Sequence, residues 1–238
     1  MFENIYIATR RKERRVYSDD EVRVLPQISS KHEHYREWKI RSQSERRLVH
    51  YLKEKQKPLN ILEVGCGNGW LSKHLSEIPL SHVTGVDVNQ EELNQAERLF
   101  KAENLKFIPG DIRSGVLQDR LFDIIVLAAS VQYFSSIQGI LDACLLHLEP
   151  VGEIHVIDTH FYRKSEVSEA RKRSEAYYKS IGSPEMAGHY FHHCLEDLSQ
   201  YNYRIMKNPS VLQSIIGGVK SPFPWICLCH MKPEMISR

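Results

Sequence analysis

Long apolar runs are missing from this chain. Nowhere in its 238 residues do ~18 consecutive apolar positions occur, so no membrane-spanning helix is expected. The first residues also lack the apolar stretch of a secretory signal. Cysteine is scarce. Cys66, Cys144, Cys194, Cys227 and Cys229 are odd in number and widely spread, in a chain too long to need disulfide staples. Reduced thiols and a cytoplasmic location are the expectation. Cys227 and Cys229 lie two apart without a second pair, so they read as core rather than as zinc ligands. A strong charge of one sign is absent too: the net is +2, which argues against a nucleic-acid partner for the chain as a whole. Repeats and low-complexity segments do not occur. With 42% hydrophobic and 26% charged residues, what remains is a soluble globular domain with a sizeable core.

Charge is nevertheless uneven. Residues 1–50 carry 12 Lys/Arg against 8 Asp/Glu, a net of +4, and Arg10-Arg11-Lys12-Glu13-Arg14-Arg15 supplies most of the excess. That run reads as a solvated, partly disordered terminal segment, with a patch for an anionic partner as the alternative. From Glu33 to Lys55, the residues Trp38, Ile40, Leu48, Tyr51 and Leu52 recur at helical spacing, and Lys57-Pro58 ends that helix.

Beyond it the pattern alternates. Strand-like runs "LNILEV", "HVTGVDV", "NLKFIPGD", "FDIIVLAAS" and "GEIHVIDT" are separated by helical stretches at 69–79, 90–101 and 137–148. Such alternation predicts βαβ units and an α/β fold: a doubly wound, Rossmann-like, seven-stranded, mostly parallel sheet with helices on both faces. "YNYRIM" and "PWICLCH" are the last two strand candidates. The single domain divides into an N-terminal helical cap (1–57), a ligand-binding core (58–160), a polar helical insertion after the fifth strand (161–200) and the final strands (201–238). An insertion at that point overlies the ligand crevice, as a lid or as peripheral decoration.

The 12 glycines are spread thinly, yet three fall within residues 65–69, in "NILEVGCGNGW". Glycine weakens strand and helix interiors, so the cluster predicts a sharp turn with bare backbone between the first strand and a helix. In a doubly wound sheet that turn opens the ligand crevice, and the free N–H groups of the next helix suit an acceptor or carboxylate. A phosphate loop needs Gly-Lys-Ser/Thr, where this chain has Gly69-Trp70-Leu71. A dinucleotide turn needs a third small residue where Trp70 stands, which disfavours NAD.

Glu63-Val64-Gly65-Cys66-Gly67-Asn68-Gly69 closely resembles the first motif of class I S-adenosylmethionine (SAM)-dependent methyltransferases. The resemblance continues in order through Asp87 in "VTGVDV", Asp111 in "PGDI", "LFDIIVLAASVQYF" and "LEPVGEIHVID". It implies SAM as cofactor. By that resemblance Gly65, Gly67 and Gly69, with Cys66 and Asn68 between them, pass under the methionine moiety, and Glu63 holds the loop or reaches the amino acid end through water. Asp87 and Val88 take the ribose and flank the adenine, while Asp111 and Ile112 bind and cover the adenine. Ala128, Ala129 and Ser130 lie near the sulfonium. Asp111 reads alternatively as a helix N-cap, Asp123 as a structural acid and Trp70 as core.

The residues after the fourth strand, Ala128 to Tyr133, lack the Pro-Pro-aromatic motif of amino-methylating nucleic-acid enzymes. They also lack the metal-holding Asp of catechol-type enzymes and the cysteine of cytosine C5 enzymes. What remains resembles the small-molecule branch related to ubiquinone- and menaquinone-biosynthesis methyltransferases. This implies metal-independent transfer to an O or N atom of a small-molecule acceptor, by a monomer or homodimer. An RNA or protein methyltransferase using the basic N-terminus, or a SAM-binding regulatory protein without catalysis, are the alternatives. Candidate bases are His160, His189, His192, His193 and Asp158, with His160 and Tyr133 as the expected catalytic pair. Tyr177, Tyr178 and Tyr190 are candidate pocket residues, and Arg41 is expected near the cofactor carboxylate.

Overall fold

The apolar run Leu59–Val64 forms the central strand β1, because it can be buried on both faces at once. Residues 2–208 and 221–230 are described in this computed structural model. The other strands are β2 (Ser81–Asp87), β3 (Leu105–Pro109), β4 (Phe122–Ala128), β5 (Leu148–Ile157), β6 (Tyr203–Lys207) and β7 (Trp225–Leu228). They make a seven-stranded sheet in the order β3-β2-β1-β4-β5-β7-β6. β7 runs antiparallel to both of its neighbours, and every other pairing is parallel. Strand order reverses between β1 and β4, so the crevice opens at the carboxyl ends of those two strands.

Alternation along the strands sorts the core into two layers. Leu62, Val64, Ile125 and Leu127 face helix α6 (Ile137–Leu146) through Ile137, Ile140, Leu141 and Cys144. Ile61, Ile124 and Val126 face α3 (Tyr35–Lys53) and α4 (Trp70–Ser76), where Trp38, Leu48, Leu52, Leu71 and Leu75 are buried. Trp70 is core, 7% exposed, with its ring edge-on to Trp38 at 5.3 Å. Asp123 is structural: its carboxylate accepts the Asn60 amide at 2.9 Å and pairs with Lys57 at 3.0 Å.

The N-terminal segment corrects the sequence reading. Residues Phe2–Lys12 form helix α1, and Asp19–Val24 form α2 behind a Ser18–Glu21 capping box. The basic run is ordered rather than partly disordered, with Arg11, Lys12 and Arg14 exposed and Arg10 and Arg15 half-buried. Arg10 and Arg15 reach Glu13, Arg11 pairs with Glu91, Arg14 with Glu33, and Arg15 also with Glu37. Three of these partners lie outside the run, so local sequence carried no sign of them. α1 lies over the carboxyl end of the sheet. Between β2 and β3 runs α5 (Gln90–Leu99), and the insertion contributes α7 (Val167–Ser180) followed by short 3-10 turns at Pro184–His189 and Leu195–Leu198. The insertion meets α1 directly: Tyr177 donates to Glu13 at 2.8 Å, Lys12 donates to the Gly182 carbonyl, and the Phe2 and His189 rings lie 5.3 Å apart.

Candidate active site

At the end of β1 the chain turns through Gly65 and Gly67 in the left-handed region, at φ 75° and 53°. A Cβ on Gly65 would come within 2.6 Å of the Ser130 Cβ, so the glycine lets the turns after β1 and β4 touch. Ser130 seals that contact by donating to the Val64 carbonyl at 2.8 Å. Asp87, ending β2, accepts the Gly67 amide at 2.7 Å with one oxygen and the Asn89 amide at 2.8 Å with the other. Burial pushes the Asp87 carboxyl up, against the pull of those amides.

Beside this clamp lies a cavity of about 800 Å³. It brings together Gly65, Gly67, Asp87, Val88, Asp111, Ile112, Ala129 and Ser130 from the sequence-derived set. Asp111 is also the N-cap of the turn that follows. Its carboxylate accepts the Arg113 amide at 2.8 Å and the Arg113 guanidinium, and that partner holds it below its ordinary range. Phe2, Glu3 and Tyr6 of α1 line the same cavity, as do Arg113 and Phe134. Sequence reasoning missed all five. The alternation that found the strands carries no information about a helix folding back from 60 residues upstream.

Five expected residues stand behind the cavity wall rather than in it. Glu63 is 2% exposed and its carboxylate takes the Ser72 hydroxyl of α4. Burial pushes it up to about 8, with Ser72 opposing and Asp87 adding to the rise. A Cβ on Gly69 would meet the Phe107 ring at 2.6 Å and the Ala96 methyl at 2.8 Å, so that glycine serves helix–sheet packing. Cys66 is buried against Gly85, Asn68 accepts the Trp70 amide at 3.5 Å, and Ala128 packs in the core layer below.

A second, wider cavity of about 1670 Å³, open to solvent, adjoins the first, and Ala129 and Tyr133 line both. Its walls are Tyr162, Tyr177, Tyr178, Tyr190 and Phe223, with Arg10, Arg15, Arg36, Arg41 and Arg173 among the charged residues. Ala129 and Asp158, at the ends of β4 and β5, hold φ of 51° and 55° without being glycine, a strained pair on the floor of this space. Asp158 accepts the Ser44 hydroxyl at 2.6 Å and burial raises it to about 6.

His160 faces the second cavity, its ring tilted against that of Tyr162 at 4.2 Å, and partial burial lowers its pKa. The other three candidate histidines do not line it. His193 lies 3.1 Å from the Val131 carbonyl, His192 bonds Ser174 at 2.9 Å, and His189 sits against Phe2. Arg41 lines the second cavity and not the first. It pairs with Glu37 at 3.0 Å and lies over the Trp38 ring.

Glu153, His155 and Cys227 bring potential metal-ligand atoms within 4.8 Å of one another, on β5 and β7. Their lone pairs are spoken for. Trp225 Nε1 donates to His155 Nδ1 at 3.0 Å, which places the imidazole proton on Nε2, facing Glu153 at 3.2 Å. Lys55 and Arg204 hold the Glu153 carboxylate at 2.8 and 3.3 Å.

Comparison with known proteins follows the same lines. Residues 61–152 match the family described as "Methyltransferase domain". A malonyl-[acyl-carrier protein] O-methyltransferase of Halalkalibacterium halodurans is 35% identical over 97 residues, 37% of this chain. The match spans 36% of that protein, and 40% and 35% of two further relatives of the same name, so the chain covers little more than a third of the curated relatives' length. Among solved structures, magnesium protoporphyrin IX methyltransferase from Synechocystis PCC 6803, with bound S-adenosylhomocysteine (SAH), has a TM-score of 0.60 at 14% identity, covering 92% of this chain and 93% of that one. The plantazolicin methyltransferase BpumL, in complex with a pentazolic desmethylPZN analog and SAH, has 0.56 at 18%, covering 95% and 96%. At such identities the structures speak for the fold alone. Sheet order, glycine turn and matched segment agree: residues 61–152 resemble a methyltransferase domain, on a fold shared with SAH-bound methyltransferases.

Proposed function

We propose that the chain transfers a methyl group from SAM to an O or N atom of a small-molecule acceptor, without a metal ion. The observation that carries this reading is the meeting of two cavities at Ala129 and Tyr133, one built on the glycine turn and Asp87, the other on tyrosines and arginines. Gly65 and Gly67 offer backbone at close approach. Asp87 keeps lone pairs beyond its two amide bonds, enough to accept two ribose hydroxyls. Val88, Asp111 and Ile112 would enclose the adenine, and Ala129 and Ser130 would border the methyl-bearing end. Bound there, SAM supplies a methyl group on a positively charged sulfur, already reactive, so alignment of the acceptor does much of the work. Tyr133 stands at the seam to align it. His160, neutral because partial burial disfavours its cation, is the base for an acceptor that must lose a proton. The same reading makes the chain a single cytoplasmic domain, with its five thiols reduced, working as monomer or homodimer. Related proteins whose names specify O-methylation support an oxygen nucleophile.

Calorimetric titration of SAM, SAH and NAD into wild type and Asp87→Ala tests the cofactor. Micromolar SAH binding that is lost in the variant and absent for NAD supports the reading. Failure of both sulfur compounds to bind wild type refutes it.

A further inference from the structure

Arginine and glutamate alternate along one wall of the second cavity. Arg10 pairs with Glu13 at 3.4 Å, Glu13 with Arg15 at 3.7 Å, Arg15 with Glu37, and Glu37 with Arg41 at 3.0 Å. Three guanidiniums thus share two carboxylates, and the row ends in a cation at each side. Despite the opposing cost of burial, Arg41 and Arg15 hold Glu37 down to about 2. At one end, Arg41 rests on the Trp38 ring. The other end is less satisfied. Arg10 Nε is buried and has no hydrogen-bond partner.

Arg10 is also placed at the seam. It lies over the Tyr6 ring at 5.5 Å, four residues back on the same face of α1. Tyr6 lines the first cavity and Arg10 the second, while the Tyr6 ring meets Tyr133, which lines both, at 5.3 Å. Glu92 is the other acid near Arg10, and it already takes a hydrogen bond from Tyr6. A planar guanidinium suits a carboxylate, which it grips through two parallel bonds, and Arg10 keeps 17% of its side chain exposed where it lines the second cavity.

We infer that Arg10 is the receptor for a ligand carboxylate at the seam between the two cavities. The methyltransferase reading supplies two sources of that carboxylate, the amino acid end of the cofactor or an acidic group on the acceptor, and the test separates them.

SAH carries the cofactor's carboxylate, and methylthioadenosine carries its adenosine without it. Both are titrated into wild type, Arg10→Met and Arg10→Lys, the last keeping the charge but not the fork. A loss of about 10-fold or more for SAH in Arg10→Met, with methylthioadenosine unchanged, supports the proposal with the cofactor as source. On the acceptor side, benzoate and benzamide are titrated into SAH-saturated protein. A preference of wild type for benzoate that disappears in Arg10→Met supports it with the acceptor as source. Equal affinities of both nucleosides in wild type and variants, with no preference for acid over amide, overturn it. Should Arg10→Met fail to fold, matched acids and amides on wild type and Arg10→Lys still decide, SAH against its carboxamide included. If wild type binds neither nucleoside, the cofactor reading falls, and benzoate against benzamide on the free protein alone judges Arg10.

Discussion

One oxygen of Asp87 accepts the Gly67 amide at 2.7 Å, tying the end of β2 to the turn after β1 across 20 residues of sequence. The acid therefore has a structural duty besides any ligand it meets. Asp87→Asn keeps the shape but turns one oxygen into a donor, which then faces the Gly67 or Asn89 amide. The expected result is a loss of SAH affinity of 10-fold or more, on the order of 1.4 kcal/mol, together with faster amide exchange at Gly67. Loss of affinity with unaltered exchange would separate the ligand role from the loop role.

Gly65 and Gly115 both sit near φ 75°, yet their surroundings differ. A Cβ at Gly115 would meet nothing within 4 Å, while one at Gly65 would overlap Ser130. Alanine at either position incurs the left-handed penalty of ~1–2 kcal/mol. Only Gly65→Ala should cost more than this and abolish SAH binding. Thermal melts of both variants with and without SAH check it, and equal melting temperatures would mean that the Ser130 contact yields easily.

Glu63 gives the fold a pH dependence of calculable sign. Its carboxyl is pushed up to about 8 by burial, and burial likewise raises Glu92 to about 7, both above the ordinary 4.5. Groups raised in the folded state stabilise it fully below the unfolded pKa and lose that contribution as pH climbs through the folded value. The melting midpoint should fall between about pH 4.5 and 8, and Glu63→Gln should flatten part of the fall. For a chain this size, 1 kcal/mol is about 2–4 °C, well within a scanning measurement.

How much of this was legible beforehand depends on the range of each interaction. Strands β1 to β5 announced themselves through apolar runs at regular spacing, and the glycine turn through residue types with few other uses. Asp87 and Asp111 fell where strand ends put them. The misses are long-range. Gly69 looks identical to Gly65 in sequence, and only the packing of Phe107 and Ala96 against it shows that it faces away from the cavity. Glu63 is drawn to Ser72 by the geometry of α4. Within the expected helical cap α1 was not resolved as an element, because its buried positions are few, Ile7 and Thr9, and Arg11 finds its partner in the distant α5.

The Glu153–His155–Cys227 cluster gives a prediction about metals. With the His155 proton fixed on Nε2 by Trp225, and Glu153 held by two cations, a zinc ion would have to displace at least three hydrogen bonds. Neither zinc nor EDTA should move the melting midpoint or SAH affinity. A zinc-dependent rise in wild type would show that the network rearranges around the ion.

Tyr177 ties the insertion to α1 through Glu13, and burial together with that carboxylate raises its phenol to about 12, so it remains a donor at any working pH. Phenylalanine there removes one hydrogen bond to a charged acceptor and leaves the ring. Half-exposed as it is, the bond contributes on the order of 1 kcal/mol. Because α1 lines both cavities, loosening it should show as local opening: amide exchange across residues 2–12 about 3- to 10-fold faster in Tyr177→Phe, with the strands unchanged. The contrast between helix and sheet makes the measurement decisive, since a global loss of stability would accelerate both. Unchanged protection in α1 would mean that Lys12, Phe2 and the arginine row hold the roof without Tyr177.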